Sequence, residues 1–507
     1  MTLRSKLFTY VHPERVAAYE SFSGPAPAFP MGNQRAMLRE APWQAGIRFA
    51  KEHGDLTLIW IKSRPVLLAS SPRLAQAVLQ GETDAFQLEC TGSLLGTRNP
   101  NEESHDFNGL GHGDSYQTVN APLSLLSTPW IEEWLEAQLP ALQSFFAERA
   151  HAFAKETMGS SLPLHASMLR IVFGALSRMT LGQELSHQSF EDFLEITLGS
   201  KRKSLGFEKA ENSKHLQDDP QTRLLNAIAT RIAQASRYPE EERTDLIGHL
   251  LKERYALEES QWAPALLQVL ISGCQPIAAS LTSTLHLLTL HTSQLEKLES
   301  ELASNDPDPT TYGLRHLPIL DAVYKESLRL APPIPLVGRR VKDARQVELH
   351  GRPLPSGTGV IVNLAAIQRH KDHWSDPDAF KPERWLEGHE PIGAEGYLPG
   401  GTGDFACPAQ NVCEVLIKQV LFSWLREHTI MAGEGREQGY KDRLVQGVRI
   451  PYWVDARLYQ RRTTLDQNSP QTPSPIASKN SSTPSDEPKT TARQRPAHAA
   501  PVAQPRR

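Results

Sequence analysis

Cysteine occurs only four times in 507 residues, at Cys90, Cys274, Cys407 and Cys413, too few and too scattered for a disulfide framework or a paired zinc motif. That scarcity excludes the small disulfide-stapled classes and fits a reducing, cytoplasmic setting. An excess of charge of either sign is also missing. The chain carries 54 Lys plus Arg against 58 Asp plus Glu, a formal charge of −4, so it has no general attraction for nucleic acid or an anionic membrane. Small molecules and proteins are the expected partners, with no nucleic acid among them. The N-terminus, MTLRSKLFTYVHPERV, lacks both a signal peptide and an apolar run of the roughly 20 residues that span a bilayer, so no transmembrane anchor is expected.

Against those absences, 39% hydrophobic content in a chain of this length is enough to build a large core. Three regions are expected. Residues 1–40 read as an N-terminal extension with a proline-rich entry, and residues 41–462 as one large domain without linker or internal repeat. Residues 463–507 are rich in Pro, Ser and Thr and hold no aromatic, too little apolar surface to offset the entropy of ordering, and read as a disordered tail.

Helical periodicity dominates the middle region. Trp130 to Glu156 repeats apolar residues every three or four positions, interrupted by Pro140, and Trp262 to Leu302 reads as a second long, largely apolar helix. Strand-like runs are short: Leu56–Ile61, Val66–Ala69, Thr358–Ala365 and the late RLVQGVRIPYWV. The fold class expected is mainly α with a small β-rich lobe.

Three segments carry chemistry. In YKESLRL, Glu326 and Arg329 stand three apart on one helix face. Downstream, FKPERW brings Arg384, the second arginine of a potential Glu–Arg–Arg charge network. Next comes LPGGTGDFACPA, a glycine-rich loop ending on Cys407, with an apolar-periodic helix beginning at Asn411. His370 and His373 lack a third ligand and are expected as exposed loop residues rather than a metal pair.

In this order and at these spacings the three segments resemble the cytochrome P450 family, and the resemblance covers most of residues 41–462. It implies the cytochrome P450 fold, haem b as cofactor and Cys407 as the thiolate that ligates iron. A cysteine thiolate donates electron density to haem iron and favours O–O cleavage. Gly401 and Gly403 then let the backbone approach the macrocycle without a Cβ, and Phe405 stands two before the cysteine where the family usually has arginine. Arg339 resembles a propionate ligand, while Glu326, Arg329 and Arg384 correspond to the brace on the cysteine side. Cys413 is the rival thiol, but no glycine separates it from Gly403, and it is expected in core packing.

The long helix around SGCQP corresponds to the one that crosses the oxygen side of the haem, so Gly273, Gln275 and Pro276 are expected to line it. Gln275 occupies the place of the family's acid and Pro276 that of its threonine. Pro276 cannot donate to the carbonyl of Ser272, which predicts a kink. Elsewhere Tyr116 and Asn120 replace the usual aromatic-x-x-x-Arg pair, Gly400 stands where an aromatic shields the sulfur, and Ala409 where glycine is usual.

The activity implied is oxidation of a small or medium apolar organic substrate in secondary or lipid metabolism, as a monooxygenase or as an atypical peroxide-using or rearranging enzyme. No fused flavin or iron–sulfur motif is present, so electrons would come from a separate ferredoxin or flavoprotein reductase unless peroxide is the oxidant. The alternative is a catalytically silent relative that keeps the fold and serves as partner or activator of a biosynthetic enzyme.

Overall fold

The computed structural model describes residues 2–80, 85–89, 91–95, 130–199, 202, 205, 207, 219–237, 244–253, 259–305, 309–342, 347–386, 396–403, 406–433, 441–452 and 454–461. Residues 1–461 form one compact unit, so the first forty residues belong to the same body as the large domain rather than extending ahead of it. Phe8, at 0% exposed, meets the edge of Trp60 at 5.3 Å, which anchors the first helix, Leu3–Val11, on the sheet. The Pro/Ser/Thr-rich tail lies outside the described residues.

The helical mass is built from α1 (Ile131–Glu156), α2 (Leu164–Leu181), α3 (His187–Leu198), α4 (Pro220–Ala235), α5 (Glu259–Leu290), α6 (Pro318–Leu330) and α7 (Gln410–Leu425). Helix α5 runs through its centre and packs most extensively on α2. By length and composition α5 is apolar enough to cross a membrane, but 78% of its most apolar stretch is buried inside the protein. A core helix hydrophobic on nearly all sides looks the same in sequence.

Prolines inside the long helices do not end them. Helix α1 continues through Pro140, and α5 continues through both Pro264 and Pro276 without ending. The expected single helix from Trp262 to Leu302 is instead broken at His291. There the backbone leaves the helical region, and the His291 ring closes on the Leu287 carbonyl at 2.9 Å, capping α5 before a new helix spans Thr292–Ser304.

The β-rich lobe has one five-stranded sheet, ordered β1-β2-β5-β4-β3, from β1 (Leu56–Ile61), β2 (Arg64–Ala69), β3 (Phe86–Leu88), β4 (Leu336–Val341) and β5 (Gly359–Asn363). Strand β5 is wholly buried and pairs parallel with β2 and antiparallel with β4. It stops at Asn363, whose side chain accepts from the Ala366 amide at 3.2 Å and starts a short helix, so Thr358–Ala365 is not strand throughout. The late apolar stretch forms a hairpin, Lys441–Val445 with Val448–Tyr452. Its two-residue turn, Gln446-Gly447, has positive φ at both positions, as the twist of a tight hairpin demands.

Candidate active site

The loop before α7 is held by its own backbone. The Gly401 amide donates to the Leu398 carbonyl at 3.1 Å, Ala406 to Gly403 at 2.9 Å, and Cys407 to Gly400 at 2.8 Å. Gly401 and Gly403 both adopt positive φ, 76° and 72°. At Gly403 the close neighbour is protein rather than a ligand: a Cβ there would stand 2.5 Å from the Leu79 carbonyl oxygen. Gly401 lines the cavity that Cys407 faces, as expected, and Gly403 does not. Gly403→Ala combines left-handed backbone with that collision, and a loss of about 1–3 kcal/mol is expected in thermal unfolding. Phe405 lies outside the described residues, as do Tyr116 and Asn120.

Cys407 is exposed and lines this cavity, which has a volume of about 270 Å³. A single buried water needs about 10–15 Å³ on the same kind of measure, so this is a ligand-sized space. Its walls come from the Cys407 loop and the start of α7, from α5, from β4, and from the apolar side chains Leu79, Leu88, Leu176, Ile334 and Val337. No Asp or Glu lines it among the described residues.

Two donors face the Cys407 sulfur, the Cys413 thiol and the Ala409 backbone amide. The Cys413 contact, and after it the Ala409 amide, hold the Cys407 thiol below its ordinary value against burial, which raises it. Cys413 is pushed the other way, by Cys407 and by burial. The sequence placed Cys413 in core packing alone; it does touch the core, yet it also lines the cavity. Cys274 is fully buried in α5 and takes no part in the wall.

Arg339 reaches the cavity from β4. It is 1% exposed, and its Nη1 donates to the Gly338 carbonyl at 2.9 Å. Its neighbour Arg340 turns to the other side, to Glu89 at 3.0 Å and the Gly357 carbonyl at 2.8 Å, because successive strand residues alternate faces. Only Arg339 can therefore serve the cavity.

On α5 the face is set by helical phase. Gln268, Val269, Ser272, Gly273, Pro276, Ile277 and Ser280 line the cavity, so Gly273 and Pro276 stand where expected. Gln275 does not. It is 2% exposed and turned toward α2, beside the His165 ring, without closing a well-formed hydrogen bond to it. Burial lowers His165 to about 4, an effect the Gln275 amide partly offsets, so the imidazole is neutral. Thr282, seven residues on, meets the same ring at 3.4 Å. The cavity-facing positions recur once per turn as the pairs 268/269, 272/273 and 276/277, and at about 100° per residue Gln275 falls outside that stripe.

That register exposes hydroxyls that the motif spacing did not single out: Ser272 and Ser280, one turn before and one turn after Pro276. Ser272 donates to the Gln268 carbonyl at 2.6 Å, and Ser280 is 3% exposed. Their i±4 spacing around Pro276 was the available signal.

Behind the cysteine side, Glu326 and Arg329 are both 0% exposed and form a two-pronged pair, with Nε to Oε2 and Nη2 to Oε1 each at 2.9 Å. Arg384 Nε donates to Glu326 Oε1 at 3.1 Å, and the Lys381 amide and Trp385 indole complete the carboxylate. Burial alone would raise the Glu326 carboxyl. The Arg329 hydrogen bond and charge, with the Lys381 amide and Arg384, outweigh it and hold the group below 4.5. The expected charge network is thus assembled as one unit. His370 and His373, expected as exposed, are half-buried, and His370 Nε2 meets Asp55 at 3.1 Å.

The wall chemistry fits a haem: a thiol with an amide donor on its sulfur, glycine backbone beside it, a buried guanidinium at one edge, and apolar faces elsewhere.

Comparisons agree with that geometry. The family model for cytochrome P450 matches residues 203–450. Zealexin A1 synthase of Zea mays is 24% identical over 441 residues, covering 78% of this chain and 83% of that protein. Germacrene A hydroxylase of Cichorium intybus is 25% identical over 417 residues, covering 75% and 80%. The crystal structure of the cytochrome P450DA heme domain superposes with a TM-score of 0.72 at 18% identity, over 89% of this chain and 99% of that one. The fold and the ordered motifs lead to one conclusion: the chain belongs to the cytochrome P450 family of haem-dependent oxidoreductases, whose iron is held by a cysteine thiolate.

Proposed function

We propose that this protein oxidises a small or medium apolar organic molecule of secondary metabolism, using haem b held through Cys407. The observation that carries the reading is the Cys407 sulfur set in the wall of a largely apolar cavity with a backbone amide directed at it. Relatives named as a hydroxylase and a monooxygenase support the reaction class. Haem bound there supplies one- and two-electron oxidation at iron.

The chain's own residues do the rest. Cys407 ligates iron, and the Ala409 amide steadies its negative charge. Arg339 would pair with a propionate, and Gly401 would let the loop pass close to the haem without a Cβ in the way. Glu326, Arg329 and Arg384 fix the segment beneath, so the ligand loop has one geometry. Leu79, Leu176, Ile277, Ile334 and Val337 exclude water and orient an apolar substrate. Ser272 and Ser280 hold protons next to Gly273 and Pro276 on the opposite wall. Gln275 supports α5 from behind and has no contact with substrate.

One observation favours peroxide over dioxygen as the oxidant. Dioxygen-driven oxidation would call for an acid to deliver protons into the cavity, and no carboxylate lines it among the described residues. Holoprotein is expected to turn over an apolar substrate faster with hydrogen peroxide than with a ferredoxin or flavoprotein reductase and dioxygen. Side-by-side product assays decide it, and faster reductase-driven turnover reverses the assignment. The family reading itself is tested by reducing the purified protein under carbon monoxide: a thiolate-type Soret band is expected, and failure to bind haem would make the chain a silent partner protein.

A further inference from the structure

The near-neutral charge balance of the whole chain hides a local pattern around its first helix, Leu3–Val11. Eleven large apolar side chains are exposed among the described residues, and four of them, Leu3, Leu7, Tyr10 and Val11, stand on this one helix. Leu3 and Tyr10 are each 83% exposed. At about 100° per residue the four fall in one stripe, with Lys6 on one border and Arg4 on the other. The helix carries no acidic residue.

Its other side is pinned to the body. Phe8 and Ser5 are buried, Phe8 against Trp60, and the Phe29 amide donates to the Arg4 carbonyl at 3.2 Å. The helix therefore cannot roll to hide its stripe. A few residues on, Arg15 Nη1 donates to the Ser63 carbonyl at 3.2 Å, which brings the β1–β2 turn alongside with Lys62 and Arg64 exposed. Residues 2–20 and this turn together hold five cations, Arg4, Lys6, Arg15, Lys62 and Arg64, against two acids, Glu14 and Glu20.

We infer that this helix docks on an anionic phospholipid surface, lying in the interface with its apolar stripe toward the acyl chains and Arg4 and Lys6 among the headgroups. An exposed apolar stripe bordered by cations is the pattern of a helix that lies on a bilayer, and nine residues are too few to cross one. Charge also argues against other occupants. A second copy meeting this face by two-fold symmetry would set the same cations against each other. The tail, residues 463–507, holds more Lys and Arg than Asp and Glu and few large apolar residues, so it complements neither the charge nor the stripe. No residue of the helix lines the Cys407 cavity, so the inference stands apart from the oxidative reading.

The test is co-sedimentation of full-length holoprotein with vesicles of phosphatidylcholine alone and of phosphatidylcholine mixed with phosphatidylserine. Wild type is expected to bind the mixed vesicles more tightly, by a margin that shrinks as salt rises. Leu7→Ser combined with Tyr10→Ser is expected to weaken partitioning into mixed vesicles by about tenfold or more. Arg4→Gln combined with Lys6→Gln is expected to lower the preference for phosphatidylserine by roughly fivefold per cation. The control, Met158→Ser combined with Tyr312→Ser, removes two equally exposed apolar side chains elsewhere on the body and is expected to bind as wild type does. All the substituted side chains are exposed, so the folded body is retained. Wild-type protein that binds neither vesicle, or a control that loses as much binding as the Leu7 and Tyr10 variant, overturns the inference. So does light scattering that shows a dimer abolished by the Leu7 and Tyr10 substitutions, which assigns the stripe to a second copy.

Discussion

Cys407→Ala is expected to abolish the thiolate-type Soret band of the reduced carbon monoxide complex and to bring substrate oxidation down to the uncatalysed background with either oxidant. Cys407 is the thiol whose sulfur meets both the cavity and the Ala409 amide. Cys274 is sealed inside α5, and burial alone holds its thiol well above the ordinary range, so it stays protonated and out of reach. Cys413 lines the same corner, but its side chain is committed to the helix turn and its thiol is likewise held protonated. A protonated thiol is a poor metal ligand, so Cys413 does not rescue the variant. The haem-free fold is barely affected, because an exposed cavity-wall side chain supports little packing; a change within about 0.5 kcal/mol is expected in urea unfolding. Cys413→Ala, by contrast, keeps the band. If Cys407→Ala retains a thiolate spectrum while Cys413→Ala loses it, the two cysteines exchange roles.

How much the sequence made legible depends on how local each signal is. The Glu326/Arg329 pair depends on a three-residue spacing within one helix, and the Cys407 loop on a run of neighbours, so both read directly from the chain. Arg339 was legible only through its likeness to the family's propionate ligand, and strand alternation explains why it, rather than Arg340, meets the cavity. The failures lie where one angle decides the outcome. Counting along α5 puts Gln275 in the place of an acid, but the helical phase turns it to His165 and brings Ser272 and Ser280 inward instead. Likewise Cys413 has the composition of a core residue, and only the turn at Ala409 shows which atom it faces. Gly403 was expected to let the loop approach the macrocycle, whereas the space a Cβ would fill there is taken by the Leu79 carbonyl, away from the cavity wall. The break at His291 has no clear pattern in the apolar periodicity, since a side-chain cap on a carbonyl produces it.

Glu326→Gln is expected to destabilise the fold by about 3 kcal/mol at neutral pH, the lower end of the range for removing one partner of a buried ion pair. The lower end applies because Arg329 keeps three other acceptors, the carbonyls of Gln368, Pro377 and Ala379 at 2.7–3.0 Å. Its charge, and most of that of Arg384, nonetheless remains buried without an anion. Glu383→Gln is the control in the same segment. Its partner Lys297, at 2.7 Å, is half-exposed, and solvent screens the pair to under about 1 kcal/mol. The pH dependence separates charge from shape. Because the folded Glu326 carboxyl sits below 4.5, its ionised form adds stability that is fully present above the unfolded value. That stability is lost as pH falls through the folded value. The gap between wild type and Glu326→Gln, measured by urea midpoint, is therefore wide at pH 7, begins to narrow below about pH 4.5 and closes under stronger acid. A gap independent of pH assigns the loss to packing, and a Glu326→Gln midpoint equal to that of Glu383→Gln removes the charge network as a support for the Cys407 loop.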